Sequence, residues 1–136
     1  MSKYKIIIVE NDEDEQQFMA EGFIEAGLFE VLAILSNGNA LMDWLQQNPS
    51  NLPDLVLSDL NMPGKNGYDI IVEIKENPAY AHIPVIITST SSTKVFIDKC
   101  FSLGAAEYQV KPETFIEYGP YVENLHRIVI EKALVK

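Results

Sequence analysis

The fold is decided by the stretch Pro53-Asp54-Leu55-Val56-Leu57-Ser58-Asp59-Leu60-Asn61-Met62-Pro63-Gly64. Its apolar run is short and lies between proline and glycine, a pattern typical of a fully buried strand in a parallel sheet. The run ends on Asp59, so a carboxylate stands at the tip of that strand. A charged group at the end of a buried strand needs a partner, and the position favours chemistry over packing.

Three other predicted strands also end in a polar side chain. Glu10, Ser89 and Lys111 each follow a short apolar run. Because parallel strands bring their carboxyl ends to one edge of a sheet, we expect these three side chains and Asp59 to converge there.

Strand and helix patterns alternate five times along the chain. Strands are predicted near residues 5–10, 29–35, 54–59, 84–89 and 106–110. The first helix is predicted to end at Gly27, and the second to begin after Ser36 or Asn37. The third is predicted to span Gly67–Asn77, the fourth to run from about Ser92 to Leu103, and the fifth to begin near Pro120. Five such units with right-handed crossovers form a doubly wound, five-stranded parallel α/β sheet. The flavodoxin-like strand order 2-1-3-4-5 then makes the first and third strands neighbours, so Glu10 faces Asp59.

Composition limits the kind of protein. The 136 residues are 47% hydrophobic, which supports one domain over residues 1–136. A formal net charge of -10 argues against direct binding to nucleic acid or to anionic membranes. The single cysteine, Cys100, excludes an internal disulfide, and the sequence contains no signal-like or long apolar segment. These features predict a cytoplasmic location.

At this point the sequence resembles the receiver domain of two-component response regulators, including its single-domain members. The resemblance covers essentially the whole chain. It rests on Glu10-Asn11-Asp12, Asp59-Leu60-Asn61-Met62-Pro63, Gly67, Ser89, Tyr108 and Lys111-Pro112.

The resemblance implies a role for each of these positions. Asp59 is implied as the phosphoacceptor, and Lys111 and Ser89 as phosphoryl contacts, with Ser89 and Tyr108 as a switch pair. The implied Mg²⁺ site comprises Glu10, Asn11, Asp59 and Asn61. A histidine kinase or phosphotransfer protein is the implied donor, and a downstream protein is the implied target. We expect no enzyme activity beyond assistance to its own phosphoryl transfer and dephosphorylation. We also predict a cis peptide between Lys111 and Pro112, which would turn the lysine back toward the acids.

The sequence departs from the family pattern at Asn11. Most receivers carry two acids where this chain has Glu10-Asn11, and a neutral amide should weaken Mg²⁺ binding. Asp12 is a candidate replacement. The departure also supports an alternative function, a pseudo-receiver that binds proteins without being phosphorylated. A flavin-binding electron carrier is disfavoured, because acids rather than a Ser/Thr/Gly-rich phosphate loop follow the first strand.

The fourth helix suggests a surface for a partner. Phe96, Cys100 and Leu103 fit one core stripe, and Ile97 and Phe101 lie beside it. Ile97, Phe101 and Tyr108 are therefore candidates for a partner surface, and a homodimer could form through the fourth helix, fifth strand and fifth helix. A wide but fully covered helix is the alternative.

Overall fold

The computed structural model describes residues 3–114 and 118–135, in which strands and helices alternate. The elements are β1 (Tyr4–Val9), α1 (Glu13–Ala26), β2 (Phe29–Leu35), α2 (Gly38–Gln47), β3 (Leu55–Asp59), α3 (Gly67–Glu76), β4 (Val85–Ser89), α4 (Lys94–Leu103), β5 (Glu107–Val110) and α5 (Tyr118–Glu131). All four pairings are parallel, in the order β2-β1-β3-β4-β5. This order confirms the predicted doubly wound, flavodoxin-like fold.

The helices cover both faces of the sheet. Alternate strand residues point to opposite faces, so Ile6 and Ile8 of β1 join a core under α1 and α5, whereas Ile7 and Val9 join a core under α2, α3 and α4. The central strand β3 is buried along its whole length. Because apolar contacts surround β3 on both faces, the backbone that carries Asp59 has little freedom to shift.

Local sequence signals set most helix ends. Asn37, rather than Ser36, caps α2 by accepting from the backbone N–H of Ala40. The glycines after α1 and α4, Gly27 and Gly104, have φ of 65° and 112°, the left-handed conformation common at helix ends.

Two helices begin within two residues of their predicted positions. α4 begins at Lys94, against a prediction of about Ser92, and α5 is described from Tyr118, against a prediction near Pro120. Pro120 lies in the first turn of α5, where a missing N–H costs no helical hydrogen bond. Within the described residues, no helix has both the length and the apolar character needed to cross a bilayer.

The predicted core stripe of α4 is wrong at Phe96. That side chain is 41% exposed, whereas Ile97 packs against the core and Cys100 is fully buried. The helix carries apolar residues on two adjacent stripes, and packing against α3 and β5 selects the one that contains Ile97 and Cys100. Phe101, on the other side, is 44% exposed.

Candidate functional site at the carboxyl edge of the sheet

Lys111 joins the two acids at the carboxyl edge. β1 and β3 are adjacent, which brings Glu10 and Asp59 to neighbouring strand ends. From beyond β5, Lys111 Nζ lies 2.7 Å from Glu10 Oε1 and 3.2 Å from Asp59 Oδ1. The side chains of Lys111 and Glu10 are only 6% and 1% exposed. The ammonium group thus contacts one oxygen of each carboxylate in a site largely closed to solvent.

The loop after β3 holds Asp59 through close backbone contacts. The backbone N–H of Leu60 donates to the Thr88 carbonyl at 3.1 Å, and that of Gly67 donates to the Leu60 carbonyl at 2.9 Å. A Cβ atom on Gly67 would lie 2.9 Å from both the Asp59 carbonyl oxygen and Leu60 Cα. Glycine is therefore required for α3 to approach Asp59 this closely.

The prediction of a cis Lys111–Pro112 peptide is wrong, because this bond is trans. The backbone N–H of Lys111 donates to the Ser89 carbonyl at 2.8 Å, which extends the hydrogen bonding between β4 and β5 by one residue. From that position the lysine side chain reaches both acids directly. A backward turn of the chain is not needed.

Burial and charge act in opposite directions on the pair formed by Glu10 and Lys111. Burial raises the pKa of Glu10, and the charge of Asp59 raises it further, against the hydrogen bond and charge of Lys111. Burial alone would lower the pKa of Lys111. The hydrogen bond to Glu10 and the charges of Asp59, Glu10 and Glu15 outweigh that effect, so the pKa of Lys111 is raised. Lys111 therefore remains a cation at neutral pH.

The residues near the two acids suit a hard cation that keeps several waters. Asn11 and Asn61 are exposed and lie close in sequence to the buried carboxylates of Glu10 and Asp59. As metal ligands, the four residues offer carboxylate and carbonyl oxygens. No group of three His, Cys, Asp or Glu side chains placed to hold a metal occurs in residues 3–114 and 118–135. Two carboxylates with neutral oxygens and water form a donor set that Mg²⁺ accepts, although one with little charge.

Asp12, the candidate replacement for the missing acid, is engaged at the start of α1. Its carboxylate caps α1 by accepting from the backbone N–H of Glu15 at 2.9 Å, and its own N–H donates to Glu10 Oε2 at 3.2 Å. If Oδ1 left the cap to bind a cation, the first turn of α1 would lose about 1 kcal/mol.

Ser89 and Tyr108 are both buried and both contact the loop after β4. Ser89 Oγ accepts from the backbone N–H of Ser91 at 3.2 Å. The Tyr108 hydroxyl donates to the Ser91 carbonyl at 2.6 Å, and the residue is 9% exposed. Ser91 therefore receives a bond from Tyr108 and donates one to Ser89, which links the two predicted switch residues through a single backbone position.

Two tyrosines near this edge were missed from the sequence. At the start of α5, the Tyr118 hydroxyl donates to the Glu15 carboxylate, and the Tyr121 hydroxyl donates to Thr88 Oγ1 at 2.7 Å. Thr88 pairs with Asp59 in the register of β3 and β4. Both tyrosines fall at the helical spacing that predicts α5, and their apolar rings suit the buried face of that helix. The bonds made by their hydroxyl groups become visible only in the three-dimensional structure.

Comparison with known proteins points to one family. The family model of the response regulator receiver domain matches residues 6–118. A Vibrio cholerae protein named "Probable cyclic di-GMP phosphodiesterase" is 38% identical over 112 residues, which cover 82% of this chain and 24% of that protein. The chain thus spans about a quarter of the length of that relative. Response regulator Rcp1 of Synechocystis is 29% identical over 130 residues, 93% of this chain and 88% of the relative.

Solved structures extend the likeness to the fold. The Mn²⁺-bound form of Rcp1 has a TM-score of 0.76, covering 90% of this chain and 91% of its own. The phosphorylated cyanobacterial phytochrome response regulator RcpA is 26% identical, with a TM-score of 0.82 and 96% coverage of both chains. The chain belongs to the response regulator receiver domain family, and its function is in two-component signal transduction.

Proposed function

We propose that Asp59 accepts a phosphoryl group from the phosphohistidine of a histidine kinase or phosphotransfer protein. One observation carries the proposal: Lys111 Nζ lies within 3.2 Å of both Glu10 and Asp59, and all three side chains are largely buried. A buried cation fixed beside a strand-end carboxylate is suited to stabilise the charge of a phosphoryl group as it is transferred.

The transfer needs little from the protein beyond placement and charge. An Asp59 carboxylate oxygen attacks phosphorus, a new P–O bond forms, the donor's P–N bond breaks, and the imidazole leaves. Lys111 donates to the transferred phosphoryl oxygens, and the hydroxyl of Ser89, at the end of the neighbouring strand, supplies a second contact. We propose that Glu10, Asp59, Asn61 and Asn11 would hold Mg²⁺, which would supply positive charge to offset that of the phosphoryl group.

The phosphoryl contact also gives a route to the surface. Ser89 Oγ accepts from Ser91 N–H in the unmodified protein, so turning this hydroxyl toward a phosphoryl group breaks that bond. The same loop residue accepts from Tyr108. We infer that phosphorylation shifts the population of Tyr108 orientations and thereby changes the surface formed by α4, β5 and α5.

The partner surface follows from this output. We propose that a downstream protein target, or a second copy of the chain, contacts the exposed Phe101 of α4 and, once it has turned outward, Tyr108 of β5. Ile97 contributes less than expected, because it packs inward. One receiver domain over residues 1–136, a cytoplasmic location, no direct binding to nucleic acid and no separate enzyme activity are the accompanying expectations.

Acyl phosphorylation is tested directly with a small phosphodonor. Wild-type protein incubated with acetyl phosphate and Mg²⁺ should gain one phosphoryl mass that hydroxylamine removes. Asp59→Asn should not be labelled. Asp43→Asn is the matched control, since it makes the same chemical change on the exposed face of α2 and should label normally. Label retained in Asp59→Asn would move the acceptor to another residue.

Asn11 supports a second candidate function. Its neutral, exposed amide stands where most receivers carry an acid, and Asp12 is committed to capping α1. On this reading the chain is a pseudo-receiver that binds its partners without phosphorylation. A wild-type protein that stays unmodified under donor excess would favour this second candidate.

A further inference from the structure

A third carboxylate is held near the acid edge by a buried tyrosine. Glu15 lies in the first turn of α1 and is half-buried, and its carboxylate accepts from the hydroxyl of Tyr118 at the start of α5. Tyr118 is only 2% exposed. The bond joins residues 103 positions apart, so the Glu15 carboxylate is fixed by tertiary structure and not only by its own helix.

The place of Glu15 sets it apart from the other acids of the first turn. Glu15, Pro112 and Tyr118 line one cavity of about 320 Å³. Pro112 directly follows Lys111 in the chain. Glu13 and Asp14 are exposed, whereas Glu15 faces this cavity. Hydrogen bonds through Asp12 tie Glu15 to the acid edge: the Glu15 backbone N–H donates to Asp12 Oδ1 at 2.9 Å, and the Asp12 N–H donates to Glu10 Oε2 at 3.2 Å.

We propose that Glu15, positioned by Tyr118, supplies at longer range the negative charge that Asn11 lacks, and so strengthens divalent-cation binding by Glu10 and Asp59. This inference rests on the cation site of the proposed function. Glu15 acts by its charge and is not proposed as a ligand, because its carboxylate accepts from the hydroxyl of Tyr118.

Charge at a distance is enough for the effect. A divalent ion and a carboxylate attract each other beyond contact distance when the medium between them is only partly water. Removing the Glu15 charge should therefore weaken cation binding by about threefold to tenfold.

The test uses Mn²⁺ alone, titrated into the full chain and followed by electron paramagnetic resonance of the free ion. Glu15→Gln keeps an acceptor for Tyr118 but removes the charge, and its affinity should fall by about threefold to tenfold. Its urea midpoint should fall only slightly, because the first turn of α1 loses one favourable charge. Glu21→Gln is the matched control: it removes the same charge from an exposed position farther along α1 and should leave affinity unchanged.

Tyr118→Phe separates the charge of Glu15 from the placement of that charge. Tyr118→Phe should show a smaller loss than Glu15→Gln, since the charge remains but is less well placed.

The outcomes distinguish the inference from the proposed function beneath it. Wild type that binds Mn²⁺, with loss in Asp59→Asn but equal affinity in Glu15→Gln, overturns the role of Glu15 and leaves the cation site standing. Wild type that binds no Mn²⁺, or that binds it equally in Asp59→Asn, overturns both.

Discussion

The ammonium group of Lys111 donates to the Glu10 carboxylate at 2.7 Å, and both side chains are almost fully buried. The contact between Lys111 and Asp59 is longer, at 3.2 Å. Glu10 is therefore the main partner of the lysine in the unmodified protein. The Glu10 contact keeps the lysine charged and in place, while Asp59, which we propose as the phosphoacceptor, makes only the longer contact.

Breaking this buried pair from one side should be costly. Lys111→Met leaves Glu10 buried without its cation, and we expect a loss of about 3 kcal/mol in the free energy of unfolding. Glu10→Gln combined with Lys111→Met should cost less than the sum of the two single changes, because the double variant buries no unpaired charge. Urea titration of the four proteins measures this coupling, and additive losses would show that the two groups do not interact.

The contact between Gly67 and the Asp59 backbone should couple stability to phosphorylation. Gly67→Ala places a methyl group 2.9 Å from the Asp59 carbonyl oxygen and should cost about 3 kcal/mol while slowing labelling by acetyl phosphate. Gly64→Ala is the comparison, because Gly64 has φ of 74° but nothing within 4 Å of its Cβ position. It should lose only about 1 kcal/mol and label normally. Equal effects of the two changes would argue against the close approach.

The two α5 tyrosines predict a loss of stability in alkali. Burial is the largest cause that raises the pKa of Tyr118 and of Tyr121, with the nearby charge of Glu15 adding to it. Above pH 10, the ordinary tyrosine value, the native protein keeps protons that the unfolded chain loses, so stability falls as pH rises. Each tyrosine should add about 1.4 kcal/mol per pH unit to that decline.

Tyr121→Phe isolates one of these contributions. At neutral pH it should cost about 1 kcal/mol, since Thr88 Oγ1 loses its donor. Above pH 10 its stability should fall less steeply than that of wild type by about 1.4 kcal/mol per pH unit. Urea titrations between pH 9 and 11 measure both effects. Parallel pH profiles would mean that Tyr121 ionises equally in the folded and unfolded chains.

Phosphorylation is expected to reach the surface through α4 and α5. Beryllofluoride with Mg²⁺, a phosphoryl mimic, should change amide hydrogen exchange along α4, at Tyr108 and in α5. Sedimentation of the protein with and without the mimic measures whether dimers form. Phe101→Asp, on the exposed face of α4, should abolish any dimer without altering labelling of Asp59. Exchange changes confined to the loops around Glu10, Asp59 and Lys111 would contradict this output.

The end of α5 offers a stabilising substitution. Ala133 has φ of 50° directly after the helix, a conformation that glycine adopts without strain. Ala133→Gly should therefore gain about 0.5–1 kcal/mol despite the flexibility of glycine. Ala20→Gly, inside α1, should lose about 1 kcal/mol. Thermal unfolding of both variants checks the contrast.

Strand order and the convergence at the carboxyl edge were predictable, because strand ends are marked by short apolar runs closed by polar residues. β3 and its Asp59 are the clearest case. The orientation of Phe96 was not predictable, since α4 carries two apolar stripes and only packing selects between them. The bond from Tyr118 to Glu15 was equally hidden, because it joins residues 103 positions apart with no pattern between them. A register shift between Ile6 and Ile7, where β1 meets β2, also left no mark in the sequence.

The residues after α5 determine how the protein can be handled in experiments. Leu134 and Val135 pack against the core under α1 and α5 and line a pocket with Pro53 and Pro84, which precede β3 and β4. The chain therefore leaves the domain at the amino-terminal edge of the sheet, opposite Asp59. An immobilisation tag or fluorophore attached there would leave the acid edge facing solution, so surface-based measurements of kinase docking can use the carboxyl end as their anchor.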